Sequence, residues 1–323
     1  MDYRSSDTAL IIANYGTPRS AAIKDVRKFL RQLLGNRHVM TIGALKRWFL
    51  VNCIIVPARA KKSAAMYAKL QDKRGMPLLY HTQDLVKKVR LLLGKKADVY
   101  YAMTSGSMLV KNIVNKVVSA GYSRIVVMPM FPQYAESTTA NIIDEVLNTL
   151  RNRRFIPPVS FIPAFYNNDY YIRCMQRLLQ DNLRDFNYEK IVFSYHGVPW
   201  KHNDIGNPSY NTQCFATTRF ICSAAGIPHE MTVTSFQSRM HEDWIQPFTD
   251  TVVRQLAKDG VKNIAVVTPS FTVDCLETVV EISQTLRDVF LSEGGEQFLA
   301  IPCLNAEDYW AEAVVQIAMQ SLL

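Results

Sequence analysis

Ile191-Val192-Phe193-Ser194-Tyr195-His196-Gly197-Val198-Pro199 is the stretch on which the fold turns. Its opening residues form an apolar run, which predicts a strand buried on both faces, as in a parallel sheet; a half-exposed strand would alternate. The Gly and Pro that follow end the strand in a turn. Similar runs recur at Ala9–Ala13, Val99–Met103, Ile125–Met130, Met231–Thr234 and Ile264–Thr268. The segments between them, Ile23–Leu34, Thr138–Leu150, Tyr171–Leu183, Trp244–Lys258 and Leu276–Leu291, have helical length and period. The expected fold class is α/β.

The stretch also has an echo. Asn14-Tyr15-Gly16-Thr17-Pro18 matches Tyr195-His196-Gly197-Val198-Pro199, Thr104-Ser105 recurs as Thr234-Ser235, and Ile125–Phe131 resembles Ile264–Phe271. Three matches in the same order predict two similar halves, 1–160 and 161–323, the second carrying the C-terminal helix. The shrinking offset after the first match places an insertion of roughly 40 to 50 residues in the first half, at about 37–79. Ligands of open parallel sheets bind beyond the carboxyl ends of strands, where all these motifs fall, so one cleft between the halves is expected. Neither GxGxxG nor GxxxxGK[ST] occurs, so a nucleotide lacks its usual phosphate cradle.

The 323 residues are 48% hydrophobic and 20% charged, a globular composition, with a formal charge of +9 that favours anionic ligands or surfaces. Basic residues are scattered and no basic-aromatic module appears, which argues against nucleic acid. The six cysteines form no CxxC or CxxH pair, so a zinc knuckle is excluded and reduced thiols are expected. The polar start lacks the pattern of a signal peptide, which points to the cytoplasm. Residues 42–57 fall short of the roughly 18 apolar residues that span a bilayer. Trp48, Phe49, Leu50, Ile54 and Ile55 with flanking Lys46, Arg47, Arg59, Lys61 and Lys62 fit either a buried helix or an amphipathic one lying on a membrane.

Two places carry candidate chemistry. His196, on a Gly/Pro turn at a strand end, is the best candidate base or metal ligand. Asp274, Glu277 and Glu281 stand at i, i+3 and i+7, one face of an α-helix. Acids at a helix start complement its dipole, and Asp274 reads equally as an N-cap. Three stacked acids repel one another, however, and such a row suits a divalent metal or a proton relay.

Phe-Ser-Tyr-His-Gly-Val-Pro at 193–199, Phe-Gln-Ser-Arg at 236–239 followed by Trp244-Ile245-Gln246-Pro247-Phe248-Thr249, and Val273-Asp274-Cys275-Leu276-Glu277-Thr278 resemble the signatures of the ferrochelatase family. So do Asn14–Pro18, Phe131-Pro132-Gln133-Tyr134 with Ser137-Thr138-Thr139, Gly75-Met76-Pro77-Leu78 and Ile301-Pro302-Cys303-Leu304-Asn305, covering about residues 8–310 in order. The resemblance implies two Rossmann-like, chelatase-like halves with 37–79 as a hydrophobic lip. It implies a lyase that inserts Fe(II) into a porphyrin dicarboxylate, protoporphyrin IX first among them, and releases two protons, in haem biosynthesis. His196 and Glu277 would be catalytic and handle the metal, with Asp274 and Glu281 as a relay. Tyr15, Gln237, Arg239, Ser137 and Thr138 would contact porphyrin, Tyr15 having a turn or packing role as the alternative. A neutral imidazole suits proton acceptance or Fe(II) ligation.

The sequence also departs from the family pattern. Met103-Thr104-Ser105-Gly106 stands where Met-Arg-Tyr-Gly is common, Met76 where Ser is, Ser270 within Thr268-Pro269-Ser270-Phe271 where Cys-Pro-Gly-Phe is, and Met240-His241 where Phe-Gly is. These changes put propionate contacts in question and leave two alternatives: a porphyrin or haem binder without turnover, and a chelatase for another metal or tetrapyrrole. The cysteine set that holds an iron–sulfur cluster in some relatives is missing, so no cluster and no tightly bound cofactor are expected. The expected partners are porphyrin and ferrous iron, the chain being a monomer or homodimer in the cytoplasm or peripheral on the inner membrane.

Overall fold

The computed structural model describes residues 5–151 and 153–322. Two compact units emerge. The first comprises Met1–Phe131, Glu136–Ala164 and Ala306–Leu323, and the second Pro132–Ala135 and Phe165–Asn305.

The first unit carries β1 (Thr8–Gly16), α1 (Ile23–Leu34), α2 (Ala44–Phe49), α3 (Val56–Leu70), α4 (Pro77–Leu93), β2 (Asp98–Ser105), α5 (Val110–Ser119), β3 (Arg124–Pro129), α6 (Asn141–Leu150) and β4 (Val159–Phe161). Its strands form a parallel sheet in the order β2-β1-β3-β4. Ala9 to Ala13 have no solvent exposure, as expected of a strand covered on both faces. Ile11, Ala13, Ala102, Ile125 and Val127 pack with Val110, Ile113 and Val117 of α5 and Ile142, Val146 and Leu150 of α6. Gly16 has φ +109°, and a Cβ there would lie 1.9 Å from the Ser105 carbonyl oxygen, so only glycine lets β1 and β2 end side by side.

The second unit repeats this plan. It carries α7 (Asp169–Leu183), β5 (Lys190–His196), α8 (Tyr210–Ala225), β6 (Thr232–Gln237), α9 (Thr249–Lys258), β7 (Asn263–Val267), α10 (Arg287–Ser292) and β8 (Gln297–Ala300). The parallel order is β6-β5-β7-β8. Val192, Ile264 and Val266 pack against Val253 and Ala257 of α9 and against Ile282, Leu286 and Phe290.

The ladders refine the internal repeat. Ala9 pairs with Ile125 and Lys190 with Ile264, as the motif match requires. Asn14 pairs with Met103 while Tyr195 pairs with Phe236, so Thr104-Ser105 corresponds to Gln237-Ser238 and not to Thr234-Ser235. The insertion supplies a continuous helix from α2 through a π-helical segment, Leu50–Ile55, into α3.

Three further expectations are corrected. The C-terminal helix α11 (Asp308–Leu322), expected with the second half, belongs to the first unit: it packs on α4 and β3, and Arg124 donates to the Ser321 and Leu322 carbonyls. The helix expected from Trp244 begins only at Thr249, because Trp244 bridges to Pro199 and Pro247 has no N–H to give a helix. The insertion is not a wholly buried helix. Val51, Val56, Ala60 and Ala64 face the unit, while Leu45, Trp48 and Phe49 are 87%, 63% and 53% exposed.

Candidate active site

β5 owes its last residue to unequal ladders. Pairing with β7 stops at Phe193–Val267, whereas pairing with β6 continues to His196–Gln237. Beyond it, Gly197 N–H donates to the Gln237 carbonyl and Ile245 N–H to the Val198 carbonyl, which fixes the turn. The His196 Nδ1 lies 2.6 Å from the Gly197 carbonyl oxygen. A carbonyl only accepts, so Nδ1 carries the proton and Nε2 of the neutral ring keeps a lone pair for a proton or a metal. Trp244 and Phe271 flank the ring, with centroids at 6.3 and 6.1 Å.

The next two residues of β6 hold the acids. Gln237 Oε1 accepts from Ser194 Oγ at 2.7 Å, which aims its Nε2 at the Glu277 carbonyl, 3.4 Å away. Ser238 Oγ donates to Glu281 Oε2 at 2.6 Å from a left-handed backbone, φ +60°. Such a conformation in a serine is strained and is kept where the surroundings impose it. Gln237 is thus both the ladder partner of His196 and a donor to the peptide of Glu277.

Glu277–Leu286 is a π-helix, a rare form that is frequent at functional sites. Glu277 and Glu281 still share a face, because four residues come close to a full turn in either helix type. Burial and the charge of Glu277 push the Glu281 carboxyl up to about 7, against the hydrogen bond from Ser238. Glu281 is therefore about half protonated at neutral pH. The Cys275 thiol, raised by burial and by the neighbouring Glu277, stays protonated.

Asp274 does not complete a row of three acids. It precedes the helix, and its oxygens accept from Thr278 Oγ1 at 2.9 Å, Asn305 Nδ2 at 2.7 Å and Cys303 N–H at 3.3 Å, so they tie a loop to the helix start. The Arg239 guanidinium stacks on Phe248 at 4.2 Å and pairs with Glu242 at 3.0 Å and Asp250 at 3.4 Å. In the first unit, Tyr15 meets Phe131 edge to face at 6.4 Å and its carbonyl accepts from Thr104. Ser137 and Thr138 lie in a π-helical turn, Glu136–Ala140, that leads into α6. Ser238, Ser270, Trp244 and Phe271 stood in quoted motifs without a role; the corrected repeat register, which sets Thr104-Ser105 against Gln237-Ser238, is the signal that singles out Ser238.

Among the described residues no three His, Cys, Asp or Glu side chains converge as a metal cage. The site instead offers one open imidazole nitrogen and two glutamates on one helix face, the second raised to about 7, at the carboxyl ends of a parallel sheet.

Two parallel α/β units of one strand order, one with this set, define a chelatase-like protein. The SirB structure from Bacillus subtilis with Fe3+ has the same fold, with a TM-score of 0.60 at 9% identity over 98% of this chain and 95% of that one. The family model for ferrochelatase matches residues 7–322, and the chain belongs to the ferrochelatase family. It is 34% identical to the ferrochelatase of Teredinibacter turnerae over 98% of this chain and 87% of that protein. To the ferrochelatase of Herminiimonas arsenicoxydans it is 37% identical, over 96% and 86%.

Proposed function

We propose that His196 and Glu277 are the groups with which this chain, a ferrochelatase that inserts iron into porphyrin to make haem, handles metal and protons, and that its porphyrin is protoporphyrin IX. Insertion exchanges two pyrrole protons for one Fe(II), so the site must receive an ion and remove two protons. His196 Nε2 and Glu277 meet the incoming ion; as it passes to the pyrrole nitrogens, His196 Nε2 accepts one of the displaced protons. Glu277, with Glu281 behind it, accepts the other and passes it along the helix face. The Trp244 and Phe271 walls keep the imidazole in apolar surroundings, where charge on a neighbour acts more strongly. The observation that supports this reading best is the Gln237-Ser238 pair, which ties the imidazole strand to both glutamates.

Tyr15, Ser137 and Thr138 are proposed as porphyrin contacts of the first unit. Gln237 and Arg239 are proposed for the second, Arg239 having to exchange an ion pair for a propionate. Asp274 is assigned a supporting role, through the loop it ties. No iron–sulfur cluster and no tightly bound cofactor are proposed, on the ground that the cysteine set which holds a cluster in some relatives is missing from the sequence.

The test mixes protein, protoporphyrin or coproporphyrin and anaerobic Fe(II) or Zn(II), and follows the visible spectrum. His196→Ala abolishes metalloporphyrin formation and Glu277→Gln slows it strongly. Wild-type rates in both variants would remove the assignment. Tight porphyrin binding without metal insertion for any pair would instead mark a binder.

No described helix is long and apolar enough to cross a membrane. A cytoplasmic chain in peripheral contact with anionic lipid is proposed, because Leu45, Trp48, Phe49 and Ile54 are exposed beside Lys46, Lys61 and Lys62. Trp48→Ser with Phe49→Ser then weakens co-sedimentation with phosphatidylglycerol vesicles, and unchanged binding refutes it.

A further inference from the structure

Because the β7 ladder ends at Val267, the His196 N–H on that side has no backbone partner in the sheet. A side chain replaces the missing rung: the N–H donates to Ser270 Oγ at 3.1 Å. On the other side of the same residue, the His196 carbonyl accepts from Tyr210 Oη at 2.7 Å. Two side-chain hydroxyls therefore hold the two polar groups of one residue, Ser270 taking its N–H and Tyr210 its carbonyl.

This pair satisfies both backbone polar groups of one residue at a strand end. Tyr210 is buried at the start of α8, and burial pushes its phenol well above the ordinary range, so it remains a donor at any working pH. Ser270 stands at a position where the chain departs from the Cys-Pro-Gly-Phe pattern common in related sequences. A glycine there has no side-chain oxygen to accept from the His196 N–H.

Resting on the proposed role of His196, we infer that Ser270 and Tyr210 are positioning residues, which act together through the His196 peptide to hold the imidazole at its working angle. Neither needs to touch metal or porphyrin. Loss of either hydroxyl frees one side of the residue and lets the turn at 196–197 rotate, which lowers the fraction of time Nε2 is aimed correctly.

The test compares Ser270→Ala, Tyr210→Phe, the double variant, Ser270→Thr and His196→Ala in the anaerobic Zn(II)–protoporphyrin insertion assay, with melting temperatures beside the kinetics. Ser270→Gly serves where Ser270→Ala does not fold. Each single loss lowers kcat roughly tenfold, the cost of one buried hydrogen bond, with KM for metal and porphyrin unchanged. The double variant loses less than the product of the single losses, because both hydroxyls hold the same residue and losing either already frees it. Ser270→Thr keeps the hydroxyl and the rate. Multiplying losses in the double variant, a wild-type kcat in the single ones, or a change in KM without one in kcat overturns the inference. If His196→Ala is inactive and Ser270→Ala normal, only this inference fails; an active His196→Ala removes the role of His196 and this inference with it.

Discussion

Glu281→Gln separates stability from function in opposite directions. In the folded chain its carboxyl is raised from an ordinary 4.5 to about 7 by burial and by Glu277. A raised carboxyl binds its proton more tightly folded than unfolded, so the folded state is penalised as pH climbs from about 4.5 through 7. At about 1.4 kcal/mol per pH unit, the penalty is about 1 kcal/mol at pH 5 and about 3 kcal/mol at pH 8. Glutamine has the same shape, still accepts the Ser238 hydroxyl and carries no charge. The variant should therefore gain about 3 kcal/mol at pH 8 and about 1 at pH 5, read by urea unfolding at each pH. It should also insert metal more slowly, since a proton acceptor is gone. Glu145 provides the control. Burial raises it to about 7 as well, in the first unit, where it accepts from the Lys111 backbone. Glu145→Gln should show the same pH-dependent gain with an unchanged insertion rate. A pH-independent stability difference for Glu281→Gln would refute the reasoning, and so would an equal loss of activity in both variants.

Two further substitutions probe the frame. Gly16→Ala sets a methyl 1.9 Å from the Ser105 carbonyl at a positive φ, and should cost several kcal/mol, seen as a large fall in melting temperature or as insoluble protein. Trp310→Ala empties a fully buried site in the C-terminal helix and should cost about 3–5 kcal/mol in denaturant unfolding; a loss under about 1 kcal/mol would show that the helix is not integral to the first unit.

Six of the eight strands among the described residues were legible because runs such as Ala9–Ala13 and Ile264–Val267 are apolar without a break and short, as a doubly covered strand is. β4 and β8 were not legible: three and four residues long and only partly buried, they lack length for a pattern to show. His196 and Glu277 stood out by residue type at strand and helix ends. Ser238 and Ser270 did not, because a serine's role depends on which long-range partner its hydroxyl meets, here Glu281 and the His196 N–H. The acid row failed at Asp274 for a related reason. A 3.6-residue period was assumed, whereas the helix starts after Asp274 and winds as a π-helix. The C-terminal helix was assigned by chain order, although its partners were set by Trp310 and by the reach of Arg124.

The donor set also fixes how the chain should respond to metal removal. A resident structural ion is held by about four protein ligands and contributes folding free energy, so chelation unfolds such proteins. Here the described residues offer an imidazole nitrogen and a carboxylate pair, with no three-group cage, which leaves coordination positions open for porphyrin nitrogens. An ion so held can leave with the product, whereas a closed cage would retain it. On the proposed reading, in which iron is substrate only, treatment with EDTA should stop insertion by removing the ion while leaving the melting temperature within about 1 °C. A fall of several degrees on chelation, reversed by Zn(II) or Fe(II), would show a resident site and contradict the reading of this centre as a point of transit.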